Sequence, residues 1–204
     1  MRRAILVVAA ASAALTLAAC QKKTAEPTAD AGTTSEAVNA AQDATAAAVG
    51  ATAAATVGPM TTESFVTNAA ISDMYEIQAG QIAQTKGQST GVKDFGKMMV
   101  TDHTAMSNTM KPLVRAAGVT APTGLDERRK GLIDNLNAAA PADFDKVYLN
   151  QQEAAHNEAL TLMNGYADRG DDAGLKAAAA KTAPKVQAHL DNVKALQAAA
   201  PPPR

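Results

Sequence analysis

The sequence predicts an all-α protein whose main domain is an antiparallel bundle of four long helices with one additional short helix. Three observations support this class. Hydrophobic residues make up 47% of the 204 residues, but much of that share is alanine, the strongest helix former. Aromatic residues reach only 3% and tryptophan is absent, whereas strands are enriched in aromatic and β-branched side chains. Four stretches of about 25 to 29 residues, each ~40 Å long as a helix, carry apolar side chains at helical spacing.

The N-terminus has the organisation of a bacterial lipoprotein signal peptide over residues 1–19. Arg2 and Arg3 precede an apolar stretch, residues 4–17, that is too short for an ordinary membrane span. The stretch ends in Leu-Ala-Ala-Cys, which resembles a lipobox with Cys20 as the acylated residue. Acylation would remove the only thiol of the chain from an oxidising compartment. The alternative is an ordinary signal peptide that contains a cysteine by chance.

The expected location is the periplasmic side of the outer membrane. Gln21 stands where a lipoprotein retained in the inner membrane would have aspartate, and the lipid on Cys20 is the predicted membrane contact. The net charge is -1 and no long run of lysine or arginine occurs, so nucleic acid is not an expected partner.

Two low-complexity segments flank the predicted bundle, which spans residues 61–199. Residues 20–60 are rich in alanine and threonine and contain few large apolar side chains, which predicts a disordered tether. Within it, residues 35–55 have enough alanine for a transient helix. Residues 200–204 form a proline-rich, disordered tail.

The first two long helices are expected to form a hairpin. Thr61 or Thr62 caps the first helix, which ends before Gly87. The second helix spans about residues 90–117, and Gly118 closes it in a left-handed conformation.

The last three helices follow with equally short connections. The short third helix begins at Thr123, where Thr-x-x-Asp126 resembles a capping box, and ends near residue 139. Pro141 opens the fourth helix, which ends at residue 169. Asp171 caps the fifth helix, and Pro184 either kinks that helix or splits it into two.

Three of the long helices each place a histidine on their apolar face, and these are all the histidines in the chain. The faces comprise Phe95, Met99, His103, Met106, Met110 and Leu113 in the second helix, Leu149, Gln152, His156, Leu160 and Met163 in the fourth, and Thr182, Val186, His189, Val193 and Leu196 in the fifth.

The three histidines and Glu76 are also expected at the same height in the bundle. Glu76 lies about ten residues before the first hairpin turn and His103 about thirteen after it, a difference of ~5 Å. His156 lies about thirteen residues before the second hairpin turn and His189 about eighteen after it. The sequence therefore predicts one polar cluster on the bundle axis.

The order and spacing of these residues over residues 62–197 resemble a known family. The pattern is Tyr75-Glu76-Ile77-Gln78-Ala79-Gly80, Phe95-Gly96-Lys97-Met98-Met99-Val100-x-Asp102-His103, Phe144-Asp145-x-x-Tyr148, His156 and Pro184-x-x-x-x-His189. It is similar to the ferritin-like domain-of-unknown-function family of bacterial exported proteins, whose members are often labelled outer-membrane proteins. The resemblance implies a ferritin-like four-helix bundle with Glu76, His103, His156 and His189 at the family's characteristic positions. It implies no established activity.

Imidazoles and a carboxylate in a bundle core predict a site for one transition-metal ion, either zinc, iron, manganese or copper. The predicted ligands are Glu76, His103, His156 and His189, with Asp73, Asp102 and Glu153 as hydrogen-bond partners behind them. Of the Glu-x-x-His motifs that di-iron bundles use in pairs, the predicted site has one, Glu153 to His156, so a mononuclear site is expected. Possible roles are metal handling or the response to envelope stress.

The competing hypothesis is a non-catalytic structural or interaction bundle. In that case the histidines and Glu76 form a metal-free, hydrogen-bonded core. No catalytic residues are predicted. The sequence Gly87-Gln88-Ser89-Thr90-Gly91 matches a serine-hydrolase elbow, but its place between two helices indicates a turn and a helix cap instead.

The lipobox makes a direct prediction about maturation. The wild-type chain should fractionate with membranes and carry acyl chains in its mature mass, and Cys20→Ala should abolish both because it removes the acylated thiol. Membrane fractionation and intact-mass spectrometry measure the two effects. A Cys20→Ala chain that still fractionates with membranes, together with a wild-type mass without acyl chains, would exclude the lipid anchor.

Overall fold

The computed structural model describes residues 60–199, which fold into five α-helices. The helices are α1 (Thr62–Lys86), α2 (Thr90–Ala116), α3 (Glu127–Ala138), α4 (Phe144–Arg169) and α5 (Ala173–Ala199). The predicted signal peptide, the possible helix at 35–55 and the tail lie outside the described residues. Met60, predicted as the last residue of the tether, is instead buried and packs against the domain core.

The all-α class is confirmed. Within residues 60–199 the only β-type pairing is an isolated bridge between Met60 and Gly170. The four long helices pack as two hairpins, α1 with α2 and α4 with α5, and further contacts join α1 to α4 and α2 to α5. Among the described helices, none combines the length and the apolar character needed to cross a bilayer.

The first hairpin brings two helix backbones into close contact at a pair of glycines. Gly80 of α1 and Gly96 of α2 face each other so closely that a Cβ atom on Gly80 would lie 2.6 Å from the carbonyl oxygen of Gly96. The turn that joins the helices ends at Ser89, whose hydroxyl accepts a hydrogen bond from the backbone N–H of Val92. Ser89 therefore acts as the predicted helix cap.

The second hairpin differs from the prediction at its turn. Asp172, not Asp171, caps α5 by accepting a hydrogen bond from the N–H of Leu175. The carboxylate of Asp171 accepts hydrogen bonds from the N–H and the hydroxyl of Thr62 instead. The turn is thereby joined to the first residue of α1.

The cap of the short helix α3 lies three residues later than predicted. Asp126 is its cap and accepts a hydrogen bond from the N–H of Arg129, so the predicted capping box at Thr123 is wrong. Arg128 and Arg129 both donate to the carboxylate of Glu158 on α4. These charged hydrogen bonds attach α3 to the bundle.

Helix α4 also begins later than predicted, at Phe144 instead of Pro141. The N–H of Asp143 donates to the carbonyl of Ala140, which makes residues 140–143 a turn before the helix. One other local prediction holds: Gly118 has a φ of 72° and ends α2 in the left-handed region. Of the two alternatives at Pro184, the split is excluded, because α5 continues through it as one helix.

Two apolar clusters make up the core. One cluster, near the α1–α2 turn, is formed by Tyr75, Ala79, Ala83, Val92, Phe95, Met99, Leu132, Leu136, Phe144, Tyr148, Leu149 and Val193. The other, near the α4–α5 turn, is formed by Met60, Phe65, Val66, Ala69, Leu162, Met163, Tyr166, Leu175, Ala179 and Ala183. The buried polar side chains Glu76, His103, His156 and His189 fall between these two groups along the helices.

The glycine contact between α1 and α2 predicts a sharp difference between two glycine substitutions. Gly80→Ala should lower the free energy of unfolding by about 1–3 kcal/mol, because the added methyl group collides with backbone that has little room to move. Gly124→Ala is the matched control, since a Cβ there meets nothing within 4 Å. Denaturant midpoints measure both, and equal midpoints for the two variants would contradict the close contact.

Candidate metal centre

The three histidines meet in the interior of the bundle from three different helices. His103 lies on α2, His156 on α4 and His189 on α5, and each is at most 3% exposed. The ring centroids are separated by 6.0 Å between His103 and His156, 5.7 Å between His103 and His189, and 5.4 Å between His156 and His189. One ring nitrogen from each histidine lies within 4.8 Å of the others.

The ring of His103 is held from α1. Its Nδ1 donates to Oδ1 of Asp73 at 2.8 Å, and the other carboxylate oxygen of Asp73 accepts a hydrogen bond from the hydroxyl of Ser107. Ser107 lies one helical turn after His103, so α2 supplies both the ring of His103 and the hydroxyl that orients Asp73.

The ring of His189 is held from α2. Its Nε2 lies 2.9 Å from Oδ2 of Asp102, and Lys185, one turn earlier on α5, pairs with the other oxygen of the same carboxylate. Burial raises the pKa of Asp102, but its hydrogen bonds with His189 and Lys185 outweigh that effect and lower the pKa overall. Asp102 is therefore an ionised acceptor, and His189 carries its proton on Nε2.

The ring of His156 is held by its own helix. Its Nδ1 donates to the backbone carbonyl of Gln152 at 2.7 Å. Because a carbonyl oxygen can only accept, the proton of the neutral ring is on Nδ1.

These contacts leave one ring nitrogen on each histidine without a hydrogen-bond partner among the described residues. They are Nε2 of His103, Nε2 of His156 and Nδ1 of His189, and all three are buried. In the neutral tautomers set by the partners, each of these nitrogens carries a lone pair. Buried polar atoms are rarely left unpaired, so three in one cluster identify a place where something else can bind.

The charges around the rings favour a cation in the cluster. Burial lowers the pKa of His103, but its hydrogen bond with Asp73 and the charge of Glu76 outweigh this, so the pKa is raised above its ordinary value. For His156, burial and then the charge of His103 lower the pKa to about 3. Burial also lowers the pKa of His189. His156 and His189 are therefore neutral, and the carboxylates beside His103 favour positive charge at that ring, which a proton or a metal ion on Nε2 can supply.

Glu76 borders the cluster but is not one of its converging groups. Its Oε1 lies 4.0 Å from Nδ1 of His156, the nitrogen that already donates to Gln152, and its Oε2 has no hydrogen-bond partner among the described residues. Burial raises the pKa of Glu76 to about 7, against the opposing charge of His103. A neutral carboxylic acid and a carboxylate are therefore both accessible near pH 7.

The predicted hydrogen-bond partners are found in two of three cases. Asp73 and Asp102 hold histidines as described above. Glu153 instead accepts a hydrogen bond from Gln197, and its neighbour Gln152 supplies the acceptor for the histidine of the Glu-x-x-His motif.

Sequence reasoning missed three groups that support the site: the carbonyl of Gln152, the hydroxyl of Ser107 and the ammonium of Lys185. Each lies four residues from one of the histidines, and that spacing places them on the same helix face.

A three-histidine arrangement of this kind has the composition of a metal site. Imidazole nitrogens bind zinc and other first-row transition metals at ~2.0–2.1 Å, and in such sites the second ring nitrogen usually donates to a carboxylate or a backbone carbonyl. Each of the three histidines has such an acceptor. Among the described residues, this is the one group of three or more histidine, cysteine or acidic side chains close enough to hold an ion together.

The fold and the site define a helical-bundle protein with a buried three-histidine cluster. The chain belongs to a family described as a domain of unknown function, DUF4142, whose sequence pattern matches residues 44–196. The match begins earlier than the resemblance over residues 62–197 and includes residues before α1. No curated protein and no solved structure matches the chain.

The different contacts of Asp102 and Glu153 predict different effects of their substitution on metal affinity. Asp102→Asn should weaken metal binding about 10- to 100-fold, because it removes the carboxylate that orients His189 and sets its tautomer. Glu153→Gln is the matched control and should leave the affinity unchanged, since its side chain contacts Gln197. Titration calorimetry with Zn²⁺ measures both affinities, and an equal loss in the two variants would contradict this assignment.

Proposed function

We propose that this protein binds one transition-metal ion through Nε2 of His103, Nε2 of His156 and Nδ1 of His189. The observation that carries the proposal is the set of three buried lone pairs without hydrogen-bond partners among the described residues. Every other ring nitrogen of these histidines is occupied by an acceptor. The rings are thus presented in the tautomers that a metal ion requires.

The separation of the three rings is compatible with a shared ion after small side-chain movements. Tetrahedral coordination with bonds of ~2.0–2.1 Å places ligand nitrogens ~3.3 Å apart. One nitrogen of each ring already lies within 4.8 Å of the others. Closure by at most ~1.5 Å is within the reach of rotations about the side-chain bonds of the histidines.

The ligand set favours zinc or copper(II) over harder ions. Three imidazoles are borderline ligands, and affinity for such sites rises along the first transition row towards copper and zinc. Magnesium and calcium prefer carboxylate and carbonyl oxygens, and Glu76 is the one acidic side chain buried beside the rings. Glu76 after a side-chain rotation, or a water molecule, supplies the fourth position.

Ion binding accounts for this site better than a hydrogen-bonded core does. A metal-free polar core is stable when its donors and acceptors satisfy one another. Here the ring nitrogens on the inner side are three acceptors, and the buried Oε2 of Glu76 is a fourth unpaired polar atom. One metal ion pairs with all three ring nitrogens, whereas each donor available in the buried core, such as the hydroxyl of a protonated Glu76 or Nε2 of Gln152, could pair with only one of them.

The burial of the ligands favours holding an ion over catalysis. The three histidines and Glu76 are each at most 3% exposed, so a substrate has no direct approach to an ion between them. We therefore propose a binding function, such as metal handling or a role in envelope stress, in place of an enzymatic one.

The proposed setting is the periplasmic face of the outer membrane. The lipobox around Cys20 supports a lipid anchor, and the chain between it and Met60 would separate the bundle from the bilayer. The family resemblance supports a ferritin-like arrangement of the four long helices, a fold in which metal ligands project inward from facing helices.

Thermal unfolding with increasing Zn²⁺ or Cu²⁺ tests the metal-binding proposal on protein purified without a histidine tag. An ion that binds only the native state should stabilise it by about 2.7 kcal/mol at a hundredfold excess over Kd, a rise in Tm of roughly 5–15 °C. His103→Ala should abolish this rise, because it removes one of three ligands. Asn192→Ala, an exposed position on the helix that carries His189, is the control and should retain it.

The comparison is made within each variant, with and without metal, so any loss of stability from the substitution itself cancels. Elemental analysis of the purified protein supplies a second measurement, with about one ion per chain expected. A wild-type chain whose Tm is unaffected by all the transition metals tested would leave the metal-free polar core as the explanation.

A further inference from the structure

An ion that binds between the three histidines must displace protein side chains in order to reach them, because each histidine is at most 3% exposed. Two of the groups that hold the rings are themselves partly exposed. The side chain of Asp73, which holds His103, is 17% exposed, and that of Asp102, which holds His189, is 23% exposed. The site therefore meets solvent at two carboxylates, one on each side of α2.

Asp102 lies in the wall of a groove between α2 and α5. The groove has a volume of about 390 Å³, and Lys185 lines it opposite Asp102, at the level of His103 and His189. Ala105, one helical turn after Asp102, also lines the groove and is exposed. A divalent ion with six water molecules occupies roughly 180 Å³. The groove is thus large enough for a hydrated ion to reach Asp102.

Lys185 holds the side of Asp102 that the histidine does not. Its Nζ lies 3.0 Å from Oδ1 of Asp102, while Nε2 of His189 lies 2.9 Å from Oδ2. The lysine side chain is 48% exposed and has a long, flexible stem. A partly exposed ion pair of this kind adds little stability, so it opens readily. Movement of the ammonium group into solvent leaves a negatively charged oxygen beside His189.

The carboxylate of Asp73 is held more firmly on the other side of α2. Its two oxygens bind Nδ1 of His103 at 2.8 Å and the hydroxyl of Ser107 at 2.6 Å. A serine side chain is short and cannot carry its hydroxyl away into solvent as a lysine carries its ammonium group. Asp73 also lies between α1 and α2, whose backbones are in close contact at Gly80 and Gly96. Entry on this side would require two tightly packed helices to separate.

We propose that transition-metal ions enter and leave the three-histidine site from the groove between α2 and α5, with Asp102 as the first protein ligand and Lys185 as the group that the ion displaces. Carboxylate oxygens bind zinc at ~2.0–2.2 Å, so Asp102 can replace part of the hydration shell. An ion on Asp102 lies next to His189, whose ring centroid is 5.7 Å from that of His103 and 5.4 Å from that of His156. This route rests on the proposed function, because it requires that the histidines bind an ion.

A bulky group in the groove tests the route in the full chain. Cys20→Ser removes the native thiol, and Ala105→Cys then places a single thiol in the groove for coupling to a large maleimide. Ala180→Cys with the same label is the matched control, because it is exposed on α5 and does not line the groove.

Association of Zn²⁺ is followed by stopped-flow mixing with a zinc indicator dye. The labelled Ala105→Cys chain should bind Zn²⁺ at least about tenfold more slowly than the labelled control, the ratio expected when the label fills the groove in more than ~90% of molecules. The equilibrium affinity of the two labelled chains should be the same, because neither label replaces a ligand.

A pair of lysine variants tests the displacement step. Lys185→Met should speed the association of Zn²⁺ by roughly three- to tenfold, because it removes the cation that competes for Asp102. Lys181→Met is the matched control, since it removes the same charge from the same groove, one helical turn away from the lysine that pairs with Asp102. Its association rate should change by less than about twofold, because salt screens the more distant charge.

Equilibrium titration of the unmodified chain with Zn²⁺ separates the two proposals. No binding at equilibrium would overturn the proposed function and the route with it. Binding together with equal association rates for the two labelled chains would overturn the route alone. A slower rate in labelled Ala105→Cys with a parallel loss of affinity would also overturn it, because the label would then have disturbed the site itself. Equal rates for Lys185→Met and Lys181→Met would exclude Lys185 as the displaced group.

Discussion

Three imidazole rings and one carboxylate are buried in the same layer of the bundle, with an apolar cluster on either side. Buried polar groups destabilise a fold unless they find partners, and here the partners come mostly from neighbouring helices. Asp73 on α1 binds the histidine of α2, and Asp102 on α2 binds the histidine of α5. A slip of one helix by a single residue would break these bonds, so the polar layer fixes the relative heights of α1, α2 and α5. The apolar clusters provide most of the stability, but by themselves they do not specify this alignment.

Much of this arrangement is predictable from sequence because it follows from helical periodicity. A common layer is predicted by two properties of His103, His156 and His189: their positions on the apolar faces and their distances from the hairpin turns. In the structure the three rings lie together. The conformation of Gly118 was predictable for a similar local reason, since a non-glycine residue rarely adopts positive φ at a helix end.

Two of the errors arise where neighbouring residues are both suited to one role. Asp171 and Asp172 are equally suitable caps for α5, and their roles are decided by Thr62, which is 109 positions from Asp171 in the chain. A contact over this distance in the chain cannot be predicted from the sequence around the α4–α5 turn. Glu153 and Gln152 are a comparable case: the first has the expected carboxylate, but the backbone carbonyl of the second lies one turn before His156 and accepts the hydrogen bond from its Nδ1. The tautomer of each ring likewise depends on which acceptor the fold brings to it.

The bond between Thr62 and Asp171 also has a mechanical consequence. With the proposed lipid anchor at Cys20, tension on the N-terminus would enter the domain at the residues just after Met60. The load would then be divided between two sets of contacts. Thr62 is hydrogen-bonded to Asp171, and its hydroxyl oxygen lies 2.7 Å from that of Tyr166. Phe65 stacks on the ring of Tyr166 with centroids 4.0 Å apart. Tension is therefore shared between both hairpins and loads several contacts together, instead of peeling the first turn of α1 away from its neighbours one bond at a time.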